Sequence, residues 1–239
     1  MRFYRNIPTV QAMTFDLDDT LYDNRPVIQR VETLAAEWLF SQHPISQNWT
    51  KQQWQDCKQQ VLKQDDTLKH DVTRWRFQQL RQGLGHLGYD DPKAQSVAQQ
   101  LIDMVLTWRN EFDVPCETHD VLSQLSRNMP LVAITNGNVN VEKIGLSHYF
   151  SLILKAGPDG RAKPEADMFD KAVEFLDLPK QRILHVGDHC VTDVGGAKRH
   201  GLLACWFNDR GVTPLESSRL KVLPDIEISS LSSLLTLLP

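Results

Sequence analysis

Several features that mark other classes of protein are scarce or missing in this sequence. Among its 239 residues only four are cysteines, Cys57, Cys116, Cys190 and Cys205, and no two of them form a Cys-x-x-Cys pair. We therefore expect reduced thiols rather than a zinc site or a disulfide framework. No stretch approaches the roughly 18 consecutive apolar residues of a membrane span, and no apolar segment of signal-peptide length follows the N-terminal arginines. The chain is expected to be cytoplasmic and to have no membrane partner.

Long basic runs are also missing, and the formal net charge is −4. A nucleic-acid-binding surface needs clustered lysine and arginine, so no nucleic-acid partner is expected. A mildly acidic chain slightly repels an anionic substrate unless the binding site supplies its own cations. The composition is otherwise ordinary for a folded protein, with 41% apolar and 23% charged residues. The length suits one large α/β domain, or a domain with a sizeable insertion, and no pattern indicates an oligomeric state.

Two kinds of apolar periodicity divide the chain. The run from Val10 to Leu17 is rich in β-forming residues, and it predicts a strand that leads directly into an acidic cluster. From Pro26 to Glu111 the apolar residues recur at helical spacing, which predicts about four helices. The expected breaks between these helices are His43-Pro44, the glycines at 83, 85 and 88, and Asp91-Pro92.

After Pro115 predicted strands alternate with predicted helices. The helices are expected near 121–125 and 141–144, after Pro164 and after Val191, and the strands are expected at 131–135, 152–155, 183–187 and 203–207. Such alternation implies right-handed crossovers and a parallel sheet covered on both faces. We therefore predict an α/β fold in which residues 1–21 and 113–239 form a doubly wound parallel sheet. Residues 22–112 are predicted to form an inserted helical cap domain, and ligands are expected beyond the carboxyl ends of the strands.

Four polar motifs fall at the predicted ends of strands or in the loops that follow them. The first is Asp16-Leu17-Asp18-Asp19-Thr20. Residues two apart on an extended chain point the same way, so Asp16 and Asp18 can face one site if the backbone turns after them. Crowded carboxylates need a cation or a shared proton. The alternative for this motif alone is a solvated acidic turn.

The second motif, Thr135-Asn136-Gly137, follows the apolar strand 131–134. Its hydroxyl and backbone N–H groups are suited to an anion, although Asn-Gly is also a common turn. The third motif is Lys163-Pro164. The lysine supplies a positive charge for phosphate, and the proline suits the first turn of the following helix. A solvated surface lysine is the alternative.

The fourth motif is Gly187-Asp188 at the end of the predicted strand 183–187, followed five positions later by Asp193. Two more carboxylates at the edge where Asp16 lies would make an oxygen-rich pocket for a hard divalent cation such as Mg²⁺. Because Mg²⁺ typically takes one or two carboxylates, we expect Asp193 to support the site from behind or to cap a helix rather than to bind the metal.

Taken in order along the chain, these four motifs resemble the catalytic motifs of the haloacid dehalogenase-like superfamily. The resemblance extends over about the whole chain, and the helical insertion after the first motif resembles that of the C1-capped members. It implies a Mg²⁺-dependent phosphatase that acts on a small phosphate monoester. By resemblance, Asp16 is the nucleophile that becomes phosphorylated, and Asp18 is the general acid and base.

The resemblance also implies a set of ligands. Mg²⁺ would be held by the Asp16 carboxylate, the Asp18 backbone carbonyl and Asp188. The phosphoryl oxygens would be bound by Thr135, Asn136 and Lys163.

Other functions remain open at this stage. The dehalogenase members of the superfamily lack an acid two residues after the nucleophile, so Asp18 argues against that activity. A mutase would need the phosphorylated aspartate to be protected from water. A phosphate-accepting signalling domain carries its acidic pair and its accepting aspartate on different strands and has no large cap. A binding protein without turnover is disfavoured because all four motifs are intact.

Overall fold

The structure of the protein, a computed structural model, describes residues 1–211 and 222–238. The chain divides into two compact units, of which one comprises Met1–Asn24 with Asp113–Pro239 and the other comprises Arg25–Phe112. The assignment of the helical unit as a cap, with boundaries at residues 22 and 112, stays a prediction.

The first unit contains the strands. They are β1 (Arg2–Phe3), β2 (Ala12–Phe15), β3 (Leu131–Thr135), β4 (Leu152–Lys155), β5 (Ile183–Gly187), β6 (Leu203–Phe207) and β7 (Ile226–Ile228). The described residues form the α-helices α1 (Arg25–Gln42), α2 (Lys51–Gln64), α3 (Val72–His86), α4 (Asp91–Trp108), α5 (Cys116–Ser126), α6 (Ala166–Leu176) and α7 (Gly195–Arg199). Among the described residues, no helix is long and apolar enough to cross a membrane.

The seven strands form one sheet in the order β1-β7-β6-β5-β2-β3-β4. Neighbouring strands are parallel except for β1, which pairs antiparallel with β7 at one edge. From β2 the chain proceeds to one side through β3 and β4, and then to the other side through β5 and β6. The strand order therefore reverses between β2 and β5, where doubly wound sheets open a crevice at their carboxyl ends. The predicted α/β fold is confirmed.

The central strands are buried on both faces. Every residue of β2, β3 and β5 is buried, and side chains alternate between the two faces of a strand, so both faces of the sheet are covered. On one face, Ile134, Phe169 and Trp206 belong to a single apolar cluster. Phe15 packs edge-on against Phe150 with ring centroids 6.3 Å apart. This packing fixes the positions of the strand ends.

The helices of the second unit begin at residues that satisfy free backbone N–H groups. Thr50 and Gln53 form a capping box at α2, in which each side chain accepts from the backbone N–H of the other residue. Asp71 caps α3 and Asp90 caps α4, whose first turn also holds Pro92. Apolar residues of α1, α3 and α4 then pack into one core. A fully buried side chain of this kind stabilises a fold by about 1.5–3 kcal/mol.

Three local predictions are wrong. Residues 141–144 form turns instead of a helix, because the Asn140 side chain accepts from the N–H groups of Glu142 and Lys143, and Gly145 follows with a φ of 74°. Helix α6 begins at Ala166, so Pro164 lies before the helix instead of in its first turn. Helix α3 continues through Gly83 and Gly85 to His86, and of the three predicted glycine breaks only Gly88, with a φ of 106°, follows a helix end.

The sequence also predicts a longer first strand, Val10 to Leu17, than the observed Ala12–Phe15, and it does not predict β1 or β7. Strands of two or three residues at a sheet edge are too short to show a period of two.

Gly83 lies against the indole rings of Trp54 and Trp49, whereas Gly85 has open space where a Cβ would lie. Gly83→Ala is expected to lower the free energy of unfolding by about 1–3 kcal/mol, because the new methyl group would overlap Trp54. Alanine's better helix propensity, about 1 kcal/mol, offsets only part of this loss. Gly85→Ala, the matched control, should raise stability by up to about 1 kcal/mol. Urea unfolding followed by tryptophan fluorescence measures both, and equal effects would contradict the packing argument.

Candidate active site

Three of the four motifs follow neighbouring strands of the sheet. Asp16 comes directly after β2, Thr135 ends β3 and Asp188 comes directly after β5. Since β2 pairs with both β3 and β5, these residues lie at the same edge, on both sides of the point where the strand order reverses. The Asp16 backbone N–H donates to the Val186 carbonyl at 2.9 Å and fixes the start of the loop.

The loop after Asp16 turns back on itself. Asp19 has a φ of 59°, a left-handed conformation that aspartate tolerates better than most residues, and its carboxylate accepts from the Asn24 N–H at 3.0 Å. The sequence analysis requires the backbone to turn after Asp16 and Asp18 if both carboxylates are to face one site, and this turn meets that requirement. The Tyr22 hydroxyl donates to Asp18 Oδ1 at 2.5 Å.

Asp18 Oδ2 occupies the space where a side chain at Gly137 would begin, and Thr135 Oγ1 lies 3.3 Å from the same position. The carboxylate of the first motif thus lies against the second motif. Only glycine permits this close approach at position 137.

Lys163 is the buried cation of the site. Its side-chain Nζ lies 2.7 Å from Asp16 Oδ1, 2.7 Å from Asp193 Oδ1 and 2.6 Å from the Ile134 carbonyl oxygen. An ammonium group has three donors, and these three oxygens use all of them. Burial alone would lower the pKa of Lys163, but Asp16 and Asp193 outweigh that effect and hold it above its usual value. The lysine is therefore charged and held in place.

Asn136 holds the backbone of Lys163. The Lys163 N–H donates to Asn136 Oδ1 at 2.7 Å, and Asn136 Nδ2 donates to the Lys163 carbonyl at 2.9 Å. The Asn136 side chain is thus engaged with the loop that carries the lysine. A contact of Asn136 with phosphate would therefore use its backbone N–H, and this contact stays a prediction.

Asp193 lies behind Lys163 in a π-helical turn, Cys190–Val194. Its Oδ1 contacts Lys163 and lies 3.2 Å from His185 Nε2, and its Oδ2 accepts from the His189 N–H at 3.0 Å. Burial would raise the pKa of Asp193, but Lys163 and His185 hold it well below its usual range. Asp193 is therefore an ionised partner of the lysine.

Asp188 is held by Thr20 and Trp206. Its N–H donates to Thr20 Oγ1 at 3.1 Å, the Thr20 hydroxyl lies 3.4 Å from Asp188 Oδ1, and Trp206 Nε1 donates to the Asp188 carbonyl at 2.8 Å. Burial, followed by the charges of Asp193 and Asp19, raises the pKa of Asp188 to about 7.

The site has more negative than positive charge. Carboxylate oxygens of Asp16, Asp188 and Asp193 lie within 4.8 Å of one another, and Lys163 is the cation bonded to two of these residues. Burial raises the pKa of Asp16 well above its usual range, with further increases from Asp193 and Asp18 that Lys163 does not cancel. A hard divalent cation fits this donor set. Both oxygens of Asp193 already have partners, which leaves Asp16 and Asp188 as the carboxylates available to the cation.

The structure thus brings together Asp16, Lys163, Asp188 and Asp193, and separately places Asp18 against the Thr135-Asn136-Gly137 turn. Sequence reasoning gave no role to Thr20, which contacts Asp188, and it missed His185, which contacts Asp193, and Thr14, which contacts His185. Thr14 and His185 are polar residues inside otherwise apolar strands. A buried polar group needs a partner, and this pattern was the available indication.

Comparison with known proteins identifies relatives along the whole chain. Residues 10–201 match the family model of the haloacid dehalogenase-like hydrolases. The chain is 44% identical over 238 residues to the 5-amino-6-(5-phospho-D-ribitylamino)uracil phosphatase YigB of Escherichia coli K12, with all of both chains covered. It is 27% identical to the phosphoserine phosphatase of Thermus thermophilus, over 93% of this chain and 96% of that protein.

Among solved structures, the 2-haloacid dehalogenase from Pseudomonas syringae pv. Tomato DC3000 is similar with a TM-score of 0.88 and 32% identity. The match covers 95% of this chain and 97% of that structure. Two of these relatives are named as phosphatases and one as a dehalogenase, so their names do not agree on one reaction.

In the metal-free protein, Asp188 is expected to lower the free energy of unfolding as the pH rises from about 5 to about 8. The raised pKa of Asp16 acts in the same direction, and the lowered pKa of His185 acts in the opposite direction below about pH 6.5. Asp188, with a pKa of about 7 in the folded state and about 3.9 when unfolded, binds more protons folded than unfolded in this range, so raising the pH favours unfolding. The lowered pKa of Asp193 acts only below about pH 4. Asp188→Asn should reduce the slope, whereas the exposed Asp120→Asn should not.

Thermal unfolding in a chelator across this pH range measures the slope. Added Mg²⁺ should raise the unfolding temperature more at pH 8 than at pH 5.5, because the cation competes with the proton for the carboxylates. An unchanged slope in Asp188→Asn would contradict the assignment.

Proposed function

Because this chain belongs to the haloacid dehalogenase-like hydrolase family, we propose that it is a phosphatase that hydrolyses small phosphate monoesters through a phosphorylated Asp16. The observation that carries the proposal is the buried Lys163 bridge between Asp16 and Asp193, beside Asp188. A phosphate monoester is anionic, and this arrangement holds a fixed positive charge at the carboxylate that is to attack it.

Asp16 has the properties that a nucleophile needs. One of its oxygens, Oδ1, bonds to Lys163, which lowers the pKa of Asp16 against the larger effect of burial. A bound divalent cation would favour the ionised and nucleophilic form further. Lys163 keeps that carboxylate in one orientation, so the other oxygen is available to attack phosphorus in line with the leaving group. When substrate binds, the Lys163 ammonium group that donates to Asp16 can also donate to a phosphoryl oxygen.

Asp18 is proposed as the general acid and base. In the first step it protonates the oxygen of the leaving alcohol, and in the second it takes a proton from the water that hydrolyses the phosphorylated aspartate. Tyr22 and Gly137 fix the position of its carboxylate, and Thr135 lies beside it. The proposed donors to the phosphoryl oxygens are the Thr135 hydroxyl, which accepts from the Gly137 N–H at 2.9 Å, the Asn136 backbone N–H and Lys163.

Mg²⁺ is the proposed cofactor, held by the carboxylates of Asp16 and Asp188 and by the Asp18 backbone carbonyl. When bound, it would offset the repulsion between an anionic nucleophile and an anionic phosphate. The surplus negative charge of the site supports this assignment, and Thr20 keeps Asp188 oriented. Asp193 stays with Lys163 and His185 and takes no direct part in metal binding.

The proposed substrate is 5-amino-6-(5-phospho-D-ribitylamino)uracil, an intermediate of riboflavin biosynthesis, with flavin mononucleotide as a second substrate. The support is the full-length similarity to YigB, whose name includes the first of these compounds. A broad-specificity sugar-phosphate phosphatase is the alternative. The similarity to a haloacid dehalogenase supports the fold, and Asp18, the acid that the dehalogenases lack, disfavours that reaction.

Asp18→Asn should separate the two steps with p-nitrophenyl phosphate. Its good leaving group needs little protonation, so phosphorylation of Asp16 proceeds, whereas hydrolysis of the phosphorylated enzyme loses its base. A burst of about one p-nitrophenolate per enzyme is expected, followed by turnover about 10²–10⁴-fold slower than in the natural enzyme. Rapid-mixing absorbance measurements in Mg²⁺ record both phases.

Asp16→Asn is the matched control, and it should show neither burst nor turnover because it has no nucleophile. Phosphate release from Asp16→Asn at a rate near that of the natural enzyme would contradict the phosphorylated aspartate. A linear time course without a burst in Asp18→Asn would contradict the role of Asp18.

The choice of substrate is tested by the ranking of kcat/KM. If the flavin-pathway assignment is correct, 5-amino-6-(5-phospho-D-ribitylamino)uracil should exceed sugar phosphates and phosphoserine by at least about tenfold, which corresponds to about 1.4 kcal/mol in transition-state binding. Flavin mononucleotide should also be hydrolysed. Similar values for all these esters would favour the broad-specificity alternative, and a lack of phosphate release from any of them would contradict the phosphatase assignment.

A further inference from the structure

A chain of buried polar groups runs behind Lys163 through the centre of the sheet. Thr14 Oγ1 lies 2.7 Å from His185 Nδ1, and His185 Nε2 lies 3.2 Å from Asp193 Oδ1. Asp193 Oδ1 in turn contacts Lys163, which contacts Asp16. We call Thr14, His185, Asp193 and Lys163 the buried polar chain. None of its members is more than 3% exposed, so all four are shielded from bulk solvent.

Thr14 and His185, distant in sequence, lie side by side on neighbouring strands. Thr14 and His185 are direct partners in the register of β2 and β5, which places the hydroxyl and the ring on the same face. Phe169 packs edge-on against the His185 ring with centroids 5.1 Å apart and restricts its rotation. The ring is therefore held on three sides, by Thr14, Asp193 and Phe169.

The chemistry of the partners decides which nitrogen of His185 carries the proton. Ionised Asp193 can only accept hydrogen bonds, so His185 Nε2 must donate to it. Burial lowers the pKa of His185 more than Asp193 raises it, which favours a neutral ring with its proton on Nε2. Nδ1 then accepts from the Thr14 hydroxyl. Without that hydroxyl, Nδ1 would be a buried acceptor with no donor. This cost favours the other tautomer, whose unprotonated Nε2 would face the Asp193 carboxylate and could not bond to it.

Asp193 Oδ1 is shared between His185 and Lys163, so its orientation determines where the ammonium group lies. A carboxylate rotated away from Lys163 would leave the lysine with two of its three oxygen partners. Lys163 would then shift relative to Asp16, the proposed nucleophile, and small displacements of reacting groups reduce rates strongly.

We propose that Thr14 and His185 are positioning residues, in which Thr14 keeps His185 as the Nε2–H tautomer and His185 fixes Asp193 so that Lys163 stays on Asp16. Their effect on rate rests on the proposed phosphatase function. The tautomer of His185 does not depend on that function, so it is measured separately.

Thr14→Val tests the proposal with a change of nearly constant shape. It should lower kcat about tenfold and change KM less than about twofold, because the positioning of the reacting groups is affected and the contacts with substrate are not. Thr14→Ser keeps the hydroxyl and should recover most of kcat. His185→Leu should lower kcat by about 100-fold. All rates are measured with p-nitrophenyl phosphate and flavin mononucleotide in Mg²⁺, and are divided by the folded fraction.

Thr118→Val is the matched control. Thr118 is a buried threonine on α5 whose hydroxyl donates to the Leu21 carbonyl at 2.7 Å instead of to a member of the buried polar chain. It should lose stability as Thr14→Val does, with an unchanged kcat. An unchanged kcat in Thr14→Val, a change confined to KM, or an equal loss of kcat in Thr118→Val would overturn the positioning role.

Nitrogen NMR of the natural protein labelled at its eight histidines tests the tautomer without any assay. The resonances absent from His185→Gln identify His185. An unprotonated Nδ1 and a protonated Nε2 are expected between pH 6 and pH 8, and Thr14→Val should alter this pattern. A proton on Nδ1 in the natural protein would overturn the proposal, whether or not the protein hydrolyses phosphate esters.

Discussion

The buried ammonium group of Lys163 is the constraint on which the rest of the site depends. A charge with 3% exposure is costly unless oxygens replace the water that it has lost, and here three oxygens do so. They come from β3, from the end of β2 and from the turn after β5, so the lysine requires these strands to be neighbours. Asn136 brings the lysine to them by binding its backbone. Removal of one partner would leave a buried charge incompletely satisfied.

This arrangement satisfies Lys163 but leaves the carboxylates in excess. Asp193 is ionised and fully occupied, whereas the raised pKa values of Asp16 and Asp188 reflect burial and mutual repulsion. The same imbalance that costs stability creates affinity for a divalent cation. In this account Asp193, which is fully hydrogen-bonded, supports the site. Asp16 and Asp188, whose charges are not balanced, are the residues that bind the cofactor, and Asp16 attacks the substrate.

Much of the core could be predicted from the sequence because its cause is local. Strands β3, β4, β5 and β6 have the predicted limits, since short apolar runs between turns are typical of a buried parallel sheet. Each motif comes at or soon after the carboxyl end of a strand, and parallel strands end at the same edge of a sheet, so the topology places the motifs at one edge. The pairing of Thr14 with His185 could not be predicted, because the partners are 171 residues apart and only the register joins them. Gly83 was misread as a break because its reason, the packing of Trp54, is tertiary.

The most direct test of the account is a crystal structure with Mg²⁺ and beryllium fluoride, which mimics a phosphoryl group on a carboxylate. The account predicts the fluoride group on Asp16, with Mg²⁺ held by Asp16 and Asp188 and with Asp193 still bonded to Lys163 and His185. A fluoride group on another carboxylate, or Mg²⁺ bound by Asp193 with Lys163 displaced, would contradict it.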